Sequence, residues 1–314
     1  MKKLMLITLC SITIQLFAQN EPVTIIEEKK AEVPAFKVFY SQKLVNTKTV
    51  EVLRKGVLEF NVSHSFGDIA GDFGGIKNFF GLDVSTDVRI GFQLGLSDRL
   101  NIIAARAKGL FPDASKLWEL GFKYQFLQQS DNDPSHPISL TVYANNVIST
   151  NQRDVLPGAE NSYVDFGDRM SQVIQMMIAK KFGKVSLQLN PLFLHTSLVL
   201  PSDDKGIFAL GGAIRLPLSK KIVIVADYFH PFRSQSSKDS FAAASPTIEF
   251  HDPLGIGVEI LTEGHTFHLN FTNATEILEN RFIRRTTTSW GDGAFRWAFT
   301  ISRNFILFKD KKSK

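Results

Sequence analysis

Leu254-Gly-Ile-Gly-Val-Glu-Ile-Leu261, turned by Glu263-Gly264 into His265-Thr-Phe-His-Leu-Asn-Phe-Thr272, sets a pattern that most of this 314-residue chain repeats. Leu254, Ile256, Val258 and Ile260 alternate with Gly255, Gly257, Glu259 and Leu261. In the second run Phe267, Leu269 and Phe271 alternate with Thr266, His268, Asn270 and Thr272. Successive side chains on a strand face opposite sides of the sheet, so each run has one apolar and one polar face. After a polar loop the pattern returns, with Phe295, Trp297, Phe299, Ile301 and Phe305 on one side and Arg296, Ala298, Thr300, Ser302 and Asn304 on the other. An aromatic face backed by Arg, His, Asn and Thr suits a strand with lipid outside and water or polar filling inside.

Working outward, twelve runs of this kind follow Gly56: about 57–65, 87–96, 99–107, 117–127, 138–147, 172–182, 184–195, 207–216, 221–230, 254–262, 265–273 and 294–306. Each is long enough to cross a bilayer when tilted. Short connections at Ser97-Asp98, Gly183, Ser219-Lys220 and Glu263-Gly264 alternate with long ones, the largest being 67–86, 148–171, 231–253 and 274–293; the turn at 128–137 is longer than its set. The expectation is an all-β, antiparallel transmembrane barrel of about twelve strands, with short periplasmic turns and long extracellular loops. A lipocalin would invert the polarity and needs only eight strands. Trp118, Phe126, Tyr143, Tyr228, Phe229, Phe232, Phe295 and Trp297 stand toward strand ends and are expected in interfacial girdles.

After the first twenty residues no stretch is apolar for eighteen positions, which excludes a transmembrane helix. Lys2-Lys3, the apolar run from Leu4 to Phe17 and Ala18-Gln19 have the order of a secretory signal peptide, with cleavage expected after Ala18. The one cysteine, Cys10, lies inside it, so no thiol or disulfide is expected in the mature chain. Loss of Lys2 and Lys3 lowers Lys+Arg from 36 to 34 against 31 Asp+Glu, a net of +3, and residues 309–314 alone supply a net of three positive charges. A nucleic-acid partner is not expected from so neutral a remainder. Residues 19–55 are expected to be a periplasmic leader packed at the barrel mouth or a partial plug; 56–308 form the barrel and 309–314 a basic periplasmic tail.

Lys55-Gly-Val-Leu-Glu-Phe60 with His64-Ser-Phe-Gly67, Asn78-Phe-Phe-Gly-Leu-Asp83, Gly264-His-Thr-Phe267 with Asn270-Phe-Thr-Asn273, and Phe299-Thr-Ile-Ser-Arg303 resemble a family of uncharacterised Bacteroidota outer-membrane β-barrels, a domain of unknown function. The resemblance runs from about Phe36 to Phe308. At Ser65 the chain departs from the family, where an arginine follows the first-strand histidine. The resemblance implies the fold and the outer membrane, and it supplies no activity.

Strand parity sends Glu59, Arg89, Glu119, Lys123, Arg215, Asp227, Glu259, His268 and Arg296 to the lumen, four acids against four bases beside one histidine. Asn61, Gln93, Asn101, Gln125, Thr141, Asn145, Gln188, Asn190, Asn270 and Asn304 join them. Buried charges are costly unless paired, so this wall suits either a salt-bridged filling or a narrow polar conduit. The leading expectation is a narrow pore for small polar solutes. Its alternative is a closed barrel that serves structure or envelope protein partners, with outer-membrane lipid around either.

No cofactor, metal or catalytic centre is expected. His195 and Ser197 share a strand face as in an outer-membrane phospholipase, but no oxyanion context follows. Asp131-Asn-Asp133 lacks the glycine and glutamate of a calcium loop, and Gly71-Asp-Phe-Gly-Gly75 lacks the strand and helix of a phosphate loop. His265 and His268 point to opposite faces and do not share a metal.

Overall fold

The computed structural model describes residues 36–110, 115–156, 159–201, 203–246 and 249–308. The expected signal peptide, residues 19–35 of the leader and the basic tail lie outside the described residues.

Twelve antiparallel strands close into one barrel: β1 (Val57–Asp68), β2 (Ser85–Gly95), β3 (Leu100–Ala107), β4 (Leu117–Leu127), β5 (Ser139–Ser149), β6 (Met170–Phe182), β7 (Val185–Thr196), β8 (Gly206–Pro217), β9 (Ile222–Phe232), β10 (Leu254–Leu261), β11 (Thr266–Thr272) and β12 (Arg296–Ile306). Each strand pairs with its neighbours in sequence, and β1 meets β12 from Val57 opposite Ile306 to His64 opposite Phe299. Closure leaves no unpaired edge, the condition for putting backbone amides into hydrocarbon.

The alternation expected along the strands is realised as an inside-out surface. Ile90, Phe92, Leu120, Phe122, Leu187, Leu189, Ile256 and Leu269 are 43–48% exposed, so their faces are a belt and not a core. Trp118, Phe126, Tyr228 and Phe232 stand outward on it. Tyr143 and Phe229 correct the girdle expectation, since both are fully buried inside. Parity explains the difference: Tyr143 shares its strand face with Thr141 and Asn145, and Phe229 shares its face with Asp227.

Two segments occupy the interior. Residues 36–55 enter and leave at the short-turn end, where Gln128 Nε2 donates to the Phe36 carbonyl (2.8 Å) and the Lys55 amide donates to Asp98 (3.0 Å). Between them the chain doubles back through a tight turn, with the Leu44 amide donating to the Thr47 carbonyl (2.9 Å) and the Thr49 amide to Gln42 (3.0 Å). Val38, Phe39, Leu44, Val45 and Val50 are buried against inward residues of the wall. Room for this insert is made by inward glycines. A Cβ on Gly255 would meet Val45 Cγ1 at 2.5 Å, and one on Gly95 would meet the Arg54 carbonyl at 2.1 Å.

From the other end the β11–β12 connection folds inward and carries α2 (Glu279–Arg285), whose Glu279, Asn280, Phe282, Ile283 and Arg284 are buried. A second helix, α1 (Gln235–Ala244), lies on the β9–β10 connection and is capped by Ser234, which accepts from the Ser237 amide (3.1 Å).

Candidate functional site: the barrel interior

All nine charged or histidine residues assigned to the lumen lie inward and buried. Two ion pairs of Arg with Glu form among these nine. Arg89 Nη2 contacts Glu119 at 2.7 Å, and Arg215 Nε contacts Glu259 at 3.2 Å. Glu119 also accepts from the Tyr143 hydroxyl (2.6 Å), and His268 Nε2 lies 3.6 Å from Glu259. Glu59 accepts from Asn61 Nδ2 (3.2 Å). Arg296 stands near the long-loop end and pairs with Asp68 (2.6 Å), a partner hidden from parity counting by the bulge near the end of β1.

The remaining wall charges are committed to the insert. Asp227 accepts the consecutive amides of Val45 (3.0 Å), Asn46 (2.7 Å) and Thr47 (3.0 Å), and the Asn46 side-chain amide (2.9 Å). Three converging N–H groups satisfy a carboxylate that would otherwise be a buried, uncompensated charge. Lys123 donates to Gln42 Oε1 (2.9 Å) and to the Glu51 carbonyl. Ser41 donates to Glu259, and Lys48 lies 3.2 Å from Glu119. Glu51 turns back on its own segment, accepting the Val38 and Phe39 amides at 2.9 and 3.0 Å.

The amide residues of the wall also grip the insert. Asn101, Gln188, Thr141, Gln125 and Ser186 bond main-chain groups between Val38 and Leu53. Beside the insert a polar cavity of about 30 Å³, lined in part by Ser41, Lys43, Glu59, Arg89 and His268, has room for a water or two.

At the long-loop end α2 is clamped from the side. Arg284 Nη1 reaches Asp203 (2.8 Å), which also accepts from Arg233 and from the Ser237 hydroxyl (2.7 Å). Burial pushes the Asp203 carboxyl up, but the Arg233 and Arg284 charges outweigh it and hold the group below the usual carboxylate range. Arg281 bonds both Glu160 and Glu276 at 3.2 Å.

The weaker candidates resolve into local structure. His195 Nδ1 lies 3.1 Å from Gln172 Oε1 on the neighbouring strand, while the Ser197 amide donates to the Met170 carbonyl. Asp133 is engaged by the Ser135 hydroxyl (2.6 Å) and amide (2.9 Å) and by His136, which lower its carboxyl to about 2. Gly71 and Gly74 close a turn ahead of the short 3₁₀ segment Ile76–Gly81. His268 is buried inside, whereas the His265 ring sits by Phe267 at 5.8 Å.

A family model described as "Membrane bound beta barrel domain (DUF5777)" matches residues 39–305. No curated protein matches the chain. Among solved structures, a COG4313 outer membrane channel from Pseudomonas putida F1 is 11% identical, with 82% of this chain and 98% of that one covered and a TM-score of 0.47. A KdgM porin is 7% identical over 79% of this chain and 99% of that one (TM-score 0.46), and LpxR from Salmonella typhimurium 10% identical over 80% and 99% (TM-score 0.35).

Proposed function

We propose, on the premise that this chain belongs to the family of membrane bound beta barrel domains, that it is an outer-membrane conduit for small polar solutes, closed by its own N-terminal segment. An even strand number, tight turns at the end where residues 36 and 308 lie, long loops at the other and the expected signal peptide support the outer membrane as its site. The single observation that carries the conduit reading is the partner of the wall. Asp227, Lys123, Asn101 and Gln188 are satisfied by residues 36–55 and not by one another, so the cylinder itself is wide enough for a polypeptide hairpin.

Twelve strands lie between barrels filled by side chains and wide porins, and here the filling is a separate piece of chain. Withdrawal of that piece would uncover a wall on which the polar file of Asn101, Lys123, Gln188 and Asp227 runs beside apolar residues such as Met177, Val223 and Val225. The second reading, a permanently closed envelope barrel, draws on the Asp203–Arg284 and Glu160–Arg281 pairs that hold α2 in place.

Liposome swelling in isotonic sugars and amino acids separates them. On the conduit reading, protein lacking residues 20–54 passes small solutes and the natural chain does so slowly; no permeation by either folded protein would support the closed barrel.

A further inference from the structure

The wall reads the insert largely by its main chain. Asn101 straddles one residue, taking the Leu53 amide on Oδ1 (2.7 Å) and giving Nδ2 to the Leu53 carbonyl (2.9 Å). Gln188 does the same across two, accepting the Val50 amide (2.8 Å) and donating to the Lys48 carbonyl (2.8 Å). Thr141 (2.6 Å) and Gln125 (3.2 Å) both donate to the Val50 carbonyl, and Lys123 donates to that of Glu51. These groups come from β3, β4, β5 and β7 and follow a non-helical run between Lys48 and Leu53.

We propose that this file of side chains is a peptide-backbone binding site, and that the solutes accepted once the insert withdraws are short, extended oligopeptides. The inference rests on the conduit reading and names its substrate class. Paired donors and acceptors that bracket a peptide unit recognise what every residue offers, as an added strand does at a sheet edge. Once the insert leaves, Asn101 keeps only Gln93 (2.7 Å) and Gln188 only Asn190 (2.8 Å), so Asn101 Nδ2 and Gln188 Oε1 lose the main-chain groups they bond, and a sugar hydroxyl does not reproduce the amide and carbonyl spacing. The insert is then a resident competitor built from the same chemistry as the ligand.

The test uses the full chain with Ser41→Cys, a buried insert position, in a protein whose own cysteine precedes the expected cleavage site. Gly255→Val is added to weaken docking of the insert away from Asn101 and Gln188. The rate of thiol modification reports the population with the insert out. N-acetyl-trialanine amide at ten times its Kd should raise that rate about tenfold, and sucrose should not. No increase, or an equal increase with sucrose, overturns the proposal. The effect should vanish in Asn101→Leu/Gln188→Leu; if that protein loses its heat-modifiable gel shift, Thr141→Val replaces it and should weaken the effect. Persistence of the full effect overturns the assignment. Bilayer conductance of the same preparation separates the two claims. A peptide effect without conductance defeats the conduit, and conductance without a peptide effect defeats this inference alone.

Discussion

The Lys48 ammonium lies 2.7 Å from a Glu279 carboxylate oxygen, joining the N-terminal insert to the helix that descends from the opposite end of the barrel. Both side chains are almost fully buried, and Lys48 also stands over the Tyr143 ring at 4.3 Å. Breaking one side of such a pair typically costs about 3–5 kcal/mol because the other charge is stranded. Lys48→Met should therefore loosen the insert more than Glu279→Gln does, since Lys48 retains Glu119 in the second variant. Hydrogen exchange of residues 44–50 measures this, and equal exchange in the two variants would contradict it.

Gly255 has an ordinary strand backbone, and the atoms nearest to a Cβ built there, at 2.5–2.7 Å, belong to Val45 and Asn46 of the insert. Gly255→Val should leave the strands paired while loosening the turn at 44–47, so that it leaves the wall more often than in the natural chain and still docks most of the time. Limited proteolysis within residues 36–55 should rise severalfold in reconstituted protein, with the gel mobility of the folded barrel unchanged.

Asp203 gives the loop clamp a pH signature. Its folded pKa is lowered, so its contribution is fully present above the unfolded value of about 3.9 and is lost as pH falls through the lowered folded value. Exchange protection of α2 should hold from pH 7 to about 5 and weaken only below about 4. Asp203→Asn should impose the weakened state at neutral pH, because Arg233 and Arg284 would remain buried without their counter-charge.

The barrel was legible because membrane strands state their faces residue by residue: Phe267, His268, Leu269 and Asn270 alternate as they stand in the structure. Tyr143 and Phe229 face inward because parity, and not nearness to a strand end, decides which face an aromatic takes. The insert has no period to betray it. Its position is fixed by partners far off in sequence, as between Asn46 and Asp227, and such pairs do not show in a local pattern. The signals that did exist were glycines at inward positions, Gly95 and Gly255, where a wall that needed filling would carry side chains. Likewise Leu278 and Phe282, one helical turn apart and flanked by Ile277 and Ile283, mark the buried face of the α2 region.

Single-channel conductance in a planar bilayer tests most directly whether residues 36–55 close a conduit. The natural chain should be silent or open rarely, Gly255→Val should open more often, and the protein lacking residues 20–54 should give stable ohmic steps. Silence from all three, with the barrel folded, would contradict the account and leave the charged interior a permanent filling.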